Sequence, residues 1–190
     1  MTVHDISIIS IAFIISFSGF LINFIKKEDG TGIMFEQDAK TLLIFRSVIP
    51  VALIASILIY FSRFGQHEHF RIFFLLGYLF IISGLIVRWI AVLSLGKAFT
   101  VKVSILKDQR LKTDGIYKKI RHPSYTGFLM YYLGLGLIMQ NWICLLILIL
   151  APLVVVLLRI KHEELVLSRH FGDQYKSYTL KTWKLFPYLF

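Results

Sequence analysis

The chain has 190 residues, of which 57% are hydrophobic and 17% charged, with a mean hydropathy of +0.72 and a net charge of +10. That is more apolar surface than one soluble core hides, so the bilayer is the expected solvent. The positive charge does not point to nucleic acid, because no basic helix or stacking module stands apart from the apolar segments. Lys and Arg at this hydropathy instead hold loops against an anionic membrane surface.

In chain order, residues 6–25 form an uncharged apolar run of the roughly 20 residues that a membrane-spanning helix needs. Residues 1–5 carry no Lys or Arg and no small-residue cleavage site follows the run, so no removable signal peptide is expected. A second span is expected over 41–61, with Arg46 near its start and Pro50 predicting a kink. A third covers 70–95 and contains Arg88 beside Trp89. For Arg46 and Arg88, both near predicted ends, snorkelling and a polar role inside the bundle are equally open. Residues 125–158 are too long for one crossing, and Gln140-Asn141-Trp142 interrupts them, which predicts a tight hairpin of two short spans of about 16–18 residues. The only cysteine, Cys144, lies in this run and reads as packing, and no disulfide within the chain is possible.

The expected fold is therefore all-α, a polytopic membrane bundle of about five helices. Residues 1–95 are expected to hold the first three spans, and residues 96–190 the last two with a polar, site-bearing tail. Segments 26–40, 96–123 and the tail from Arg159 carry seventeen Lys and Arg, whereas the opposite side carries only Arg63 and Arg71. The positive-inside rule then puts the amino terminus outside and the carboxyl terminus in the cytosol. Beyond the last span, Leu167, Phe171, Tyr175 and Tyr178 recur at helical spacing between charged residues, which predicts an amphipathic interfacial helix with a break at Gly172. The aromatic close from Trp183 is expected to fold back on the membrane or the bundle.

Polar residues cluster in two places on the predicted cytosolic side. The first runs from Leu111-Lys112-Thr113-Asp114-Gly115-Ile116-Tyr117 into Arg121-His122-Pro123-Ser124-Tyr125-Thr126-Gly127. Pro123 suits the first turn of a helix, where its missing N–H costs nothing. A helix start offers free N–H groups and partial positive charge to an anion such as a ligand carboxylate, with His122 and Tyr125 flanking it. Gly127 would let a ligand or a neighbouring helix come close. An interface belt, with Tyr125 as anchor and His122 solvated, fits these residues equally well. The second cluster is Arg159-Ile160-Lys161-His162-Glu163-Glu164, in which Arg159 and Glu163 share one helical face and pair by default. His162, Glu163 and Glu164 lack a second spaced ligand group, so no metal is expected. His4, His67 and His69 read as solvated loop residues.

Five blocks together carry a resemblance: Leu95-Gly96 to Phe99, Leu111 to Tyr117, Arg121 to Gly127, Arg159 to Glu164, and Phe171-Gly172 to Tyr175. In this order and spacing, over residues 84–190, the chain resembles the isoprenylcysteine carboxyl methyltransferase family. The resemblance implies a small helical membrane bundle with S-adenosylmethionine held on the cytosolic side. It implies cofactor binding by Gln109, Arg110, Leu111, Lys112, Tyr117, His122, Pro123, Ser124 and Tyr125, with Glu163 supporting the cofactor and Arg159 orienting the substrate carboxylate as the catalytic pair. The family often has a hydrophobic dipeptide where this chain has Leu111-Lys112, and two registers fit its acid, Glu163 and Glu164. The implied acceptor is lipophilic and enters sideways from the bilayer. A carboxylate nucleophile is already ionised at neutral pH, so positioning and desolvation would supply most of the rate. The competing readings are a phospholipid or amine N-methyltransferase with Glu164 or His122 as base, an NADPH-dependent sterol-type reductase, and a non-enzymatic membrane scaffold.

Overall fold

In the computed structural model, residues 3–25, 33–36, 39–65, 71–96, 99, 104–106 and 109–188 are described. Their order is α1 (Val3–Ile25), β1 (Ile33–Glu36), α2 (Ala39–Ser62), α3 (Arg71–Leu95), β2 (Ser104–Leu106), a 3-10 turn (Gly115–Lys118), α4 (Pro123–Met139), α5 (Trp142–Phe171) and α6 (Asp173–Thr179). Among the described residues, α1, α2, α3 and α5 are long and apolar enough to cross a membrane. Their side chains face outward in large numbers, with Phe13, Phe24, Leu43 and Leu75 each more than two-thirds exposed, as lipid contact allows. The 17-residue α4 sits at the lower limit of spanning length. The chain is an integral, multi-pass membrane protein built as a helical bundle.

The predicted hairpin forms where expected. Gln140 turns the chain in the left-handed region (φ 49°), and the Asn141 side chain caps α5 by accepting from the Ile143 and Cys144 N–H groups. The expected short second arm is corrected: α5 runs unbroken for 30 residues, so Leu167 and Phe171 prolong it rather than start a separate helix. Nothing between Leu158 and Phe171 breaks a helix, and charge alone moves the chain out of the apolar layer without ending it. The break comes at Gly172 (φ 51°), after which α6 makes two short turns. The antiparallel pairing of β1 with β2 has no signal in hydropathy and was not expected.

α4 is the hub. It packs most extensively on α3, and it also meets α5 and α1, while α2 packs on α5. The α3–α4 seam closes through two glycine pairs. A Cβ at Gly84 would lie 2.7 Å from the Gly127 carbonyl oxygen, and one at Gly77 would lie 2.8 Å from that of Gly134. Backbones this close gain packing and dipolar contact, which is how helices associate where lipid supplies no hydrophobic drive. Gly127 therefore admits a helix. Leu135, Ile138, Cys144, Leu148 and Val156 are fully buried between α4 and α5, and the Cys144 thiol donates to the Ser56 carbonyl at 3.2 Å. His4 corrects an expectation: it lies within α1, half-buried, its ring 4.4 Å from that of Phe74. His67 and His69 lie outside the described residues.

Candidate functional site

Pro123 occupies the first turn of α4, with His122 as the N-cap residue. The His122 ring is buried, 4% exposed, so it is not the solvated side chain of an interface belt. Before it, the 3-10 turn starts at Gly115 (φ 59°) and buries Tyr117, whose hydroxyl donates to the Ala91 carbonyl of α3 at 3.2 Å. Burial, with Glu163 nearby, pushes the Tyr117 phenol well above its ordinary value, so it stays a neutral donor. Arg88 leaves α3 sideways and donates from Nη1 to the Ser124 carbonyl at 3.2 Å and to Ser124 Oγ at 3.4 Å. Its guanidinium lies 5.1 Å from the Phe128 ring centroid. Arg88 is thus held inside the bundle rather than snorkelling.

The two adjacent acids of α5 divide their work. Glu164 meets Arg121 Nε at 3.0 Å, His122 Nε2 at 3.4 Å and Lys184 Nζ at 3.4 Å. Burial alone would raise the Glu164 carboxyl, but the hydrogen bonds and charges of His122 and Arg121 outweigh it and hold the group at about 2. Glu163 lies on the other side of the imidazole, 3.7 Å from Nδ1. One turn earlier, Arg159 is 5% exposed and donates from Nε to the Tyr125 hydroxyl at 3.1 Å, its guanidinium 5.6 Å from the Phe45 ring centroid.

A strap of residues 178–185 fixes this wall from behind. The Tyr178 hydroxyl donates to the Tyr117 carbonyl at 2.7 Å, and Trp183 N–H to the Lys119 carbonyl at 2.9 Å. Arg121 and His122 N–H donate in turn to the carbonyls of Trp183 at 2.8 Å and Lys184 at 3.0 Å, and Thr126 Oγ1 donates to that of Leu185 at 2.7 Å. The Arg121 guanidinium adds bonds to the carbonyls of Thr179 and Thr182. Backbone groups that a loop would leave to water are paired here against a second segment.

These elements surround a cavity of about 590 Å³. Its polar end is lined by Gln109, Tyr117, Arg121, His122, Ser124, Tyr125, Arg88, Arg159 and Glu163. From there it runs between α1 and α2 past Phe45, Ile49 and Leu53 to Gly19, Phe20, Pro50 and Ile54. Phe20 and Ile54 both line it and are more than half exposed, so the apolar end opens sideways. Among the described residues, α1 and α2 share no interface comparable to those of α4, and that gap is the opening.

Seven of the eleven residues anticipated from sequence line this one cavity: Gln109, Tyr117, His122, Ser124, Tyr125, Arg159 and Glu163. Pro123 is buried behind them in the helix start, Arg110 is exposed, and Lys112 pairs with Asp114 at 2.9 Å on the surface. Leu111 is half-buried beside them and does not line the cavity. Sequence reasoning missed Arg121 as a lining residue and the whole contribution of α1 and α2. Arg88 carried a signal, a charge inside an apolar run, that sequence alone left undecided. Among the described residues no group of three or more His, Cys, Asp or Glu could hold a metal ion.

The profile of the isoprenylcysteine carboxyl methyltransferase (ICMT) family matches residues 75–169, half of the chain, and so covers most of α3, the polar wall and the four cavity-lining residues of α5, Arg159, Glu163, Val166 and Leu167. The chain belongs to this family. Among ICMT relatives, protein-S-isoprenylcysteine O-methyltransferase B of Arabidopsis thaliana is 32% identical over 64% of this chain and 61% of its own length. A probable protein-S-isoprenylcysteine O-methyltransferase of Oryza sativa subsp. indica is 30% identical over 60% of each chain. The protein-S-isoprenylcysteine O-methyltransferase of Schizosaccharomyces pombe is 36% identical over 54% of this chain and 44% of its own. The match thus spans about 60% or less of these relatives. A solved structure of the eukaryotic intramembrane Ras methyltransferase ICMT superposes on 100% of this chain and 69% of its own, with a TM-score of 0.67 and 24% identity, a likeness of fold.

Proposed function

We propose that this protein is an S-adenosylmethionine-dependent membrane methyltransferase that esterifies the carboxylate of an isoprenylcysteine-like or related lipophilic substrate. The observation that carries the reading is one cavity with a charged end at the start of α4 and an apolar end that opens sideways between α1 and α2. A water-soluble cofactor and a lipid-borne acceptor need to meet across such a boundary. Family membership implies a methyl donor.

The residues at the polar end fit S-adenosylmethionine. Glu163 offers a carboxylate to a cationic ligand, and Tyr117 and Tyr125 offer aromatic walls. The first turn of α4, whose Tyr125 and Thr126 N–H groups are taken by the His122 carbonyl, offers its partial positive charge and the Ser124 N–H to a ligand carboxylate. When bound, the cofactor supplies an electrophilic methyl group on a sulfonium. We assign its binding to Gln109, Tyr117, His122, Ser124, Tyr125 and Glu163, which line the cavity, with Arg110, Leu111, Lys112 and Pro123 adjoining them in the chain as the family resemblance implies. Arg159, held by the Tyr125 hydroxyl, orients the acceptor carboxylate, and the low-polarity surroundings strip it of water. No general base is needed for an ionised carboxylate. Arg88 and Arg159 at the polar end favour an anionic head over an amine. By this reading residues 96–190 supply most of the cofactor end and residues 1–95 most of the lipid end. The charge bias supports an amino terminus outside and a cytosolic carboxyl terminus.

The test is transfer of label from methyl-labelled S-adenosylmethionine to prenylcysteine, lipid and amine acceptors by the purified protein in lipid. Base-labile label on the prenylcysteine is expected. Label found only on an amine, or on no acceptor, would overturn the proposal.

A further inference from the structure

The strap that closes the back of the polar wall has an outer face with no role in that wall. Leu180 is 84% exposed, Tyr188 88% and Trp183 41%, and the Trp183 and Tyr188 rings touch at 5.5 Å between centroids. Lys176 and Lys181 are exposed beside them, and Asp173 is the acid on α6. Large apolar side chains in this setting need a cover. The depth at which they lie indicates which. Leu185 is buried in the core, and its carbonyl accepts from Thr126 in the first turn of α4. The strap therefore ends level with the point where the apolar helix begins. At that level a surface of Trp, Tyr, Leu and Lys matches the headgroup layer, with rings among the glycerol groups and ammonium groups against phosphates.

We propose that the outer face of the strap docks on anionic headgroups of the membrane that the protein spans, and that this seating holds residues 117–122 in place. The docking rests on burial, depth and charge. The coupling rests on the reading of the cavity's polar end as a cofactor site. Its physical basis is that the backbone groups bonded to Lys119, Arg121 and His122 belong to Trp183, whose ring faces outward, and to Lys184 next to it. A strap released from the surface would loosen three of the wall's backbone bonds together.

The test uses the full chain with Trp183 as its sole tryptophan (Trp89→Phe, Trp142→Phe), in nanodiscs of phosphatidylcholine alone or mixed with phosphatidylglycerol. With lipids brominated near the headgroup, Trp183 emission is expected to be quenched, more strongly in the anionic discs. The affinity for S-adenosylhomocysteine is expected to rise there by up to about fivefold, the effect of one lysine at a charged surface. The pair Leu180→Ser and Lys181→Glu, whose native side chains are exposed, should abolish both differences. Unquenched Trp183 would overturn the docking. Quenching that depends on the number of copies per disc would assign the face to a second copy, against the proposal. Equal affinity in both lipids would overturn the coupling. No S-adenosylhomocysteine binding in any lipid would count against the cofactor reading, and the quenching would still decide the docking.

Discussion

At Gly127 an added methyl group would be driven into the backbone of α3, whereas at Gly19 it would meet nothing within 4 Å. Gly19 lines the cavity, whereas Gly127 sits in the α3–α4 seam beside the lining residues Ser124, Tyr125 and Phe128. On the α3–α4 side, glycine lets two backbones touch and fixes the wall that carries Ser124 and Tyr125. On the α1–α2 side it leaves room beside Phe20 and Ile54 where the cavity opens. A membrane protein that binds a lipid laterally needs both, since a bundle sealed everywhere admits no tail and one open everywhere positions no head. Small residues thus mark close packing only where a neighbour is present to use the space.

The sharpest break in this comparison is Gly127→Leu. It should cost about 3 kcal/mol or more, the upper range for overpacking, and the protein should fail to give a monodisperse peak on size exclusion. Next comes Arg159→Ala, which leaves the seam alone. It should lower kcat/KM for the lipid acceptor by about 100-fold, the consequence of removing one member of a buried charge pair, while S-adenosylhomocysteine binding stays near its original level. Unchanged turnover would remove Arg159 from the substrate site. Third is Gly19→Leu at the opening. Thermal stability should hold, and KM for acceptors with long tails should rise by about tenfold, with little change for short ones. A loss of stability as large as that from Gly127→Leu would erase the distinction between the two sides.

The smallest effect concerns the strap. The Glu164 carboxyl is held at about 2 in the folded protein, against an ordinary value of 4.5. A depressed acid contributes stability that is present in full above its ordinary value and is lost as pH falls toward the folded one. Protection of the strap's amides against hydrogen exchange should therefore weaken between about pH 4.5 and 2. Glu164→Gln should show about 1–2 kcal/mol less protection at neutral pH and no further loss in acid.

The spans and the hairpin at Gln140-Asn141 were legible in sequence because hydropathy and a capping residue are local signals. The polar wall was legible only in part, since its motif at a helix start fitted an interface belt equally well until the other blocks of the resemblance were read with it. What was not legible depends on distance along the chain. Glu163 and Glu164 are neighbours in sequence, and Arg121, 43 residues earlier, together with His122 and Lys184 draws one of them away from the cavity. The opening between α1 and α2 exists because each packs on a different partner, α4 and α5, and periodicity within one helix says nothing of partners. His4 looked like a loop residue because α1 starts before its apolar run does.

The Tyr178 hydroxyl and the Tyr117 carbonyl that it holds are 61 residues apart. At ribosomal speeds of 5–20 residues per second, the turn at 115–118 waits roughly 3 to 12 seconds for its template after it is made. Helix α4 can enter the membrane and seal its glycine seam with α3 in that interval, but the Lys119 carbonyl and the Arg121 and His122 N–H groups lack their strap partners until Trp183 and Lys184 arrive. The wall is therefore among the last parts of the described chain to form. A ribosome stalled before residue 178 would hold a well-packed bundle with no finished binding surface.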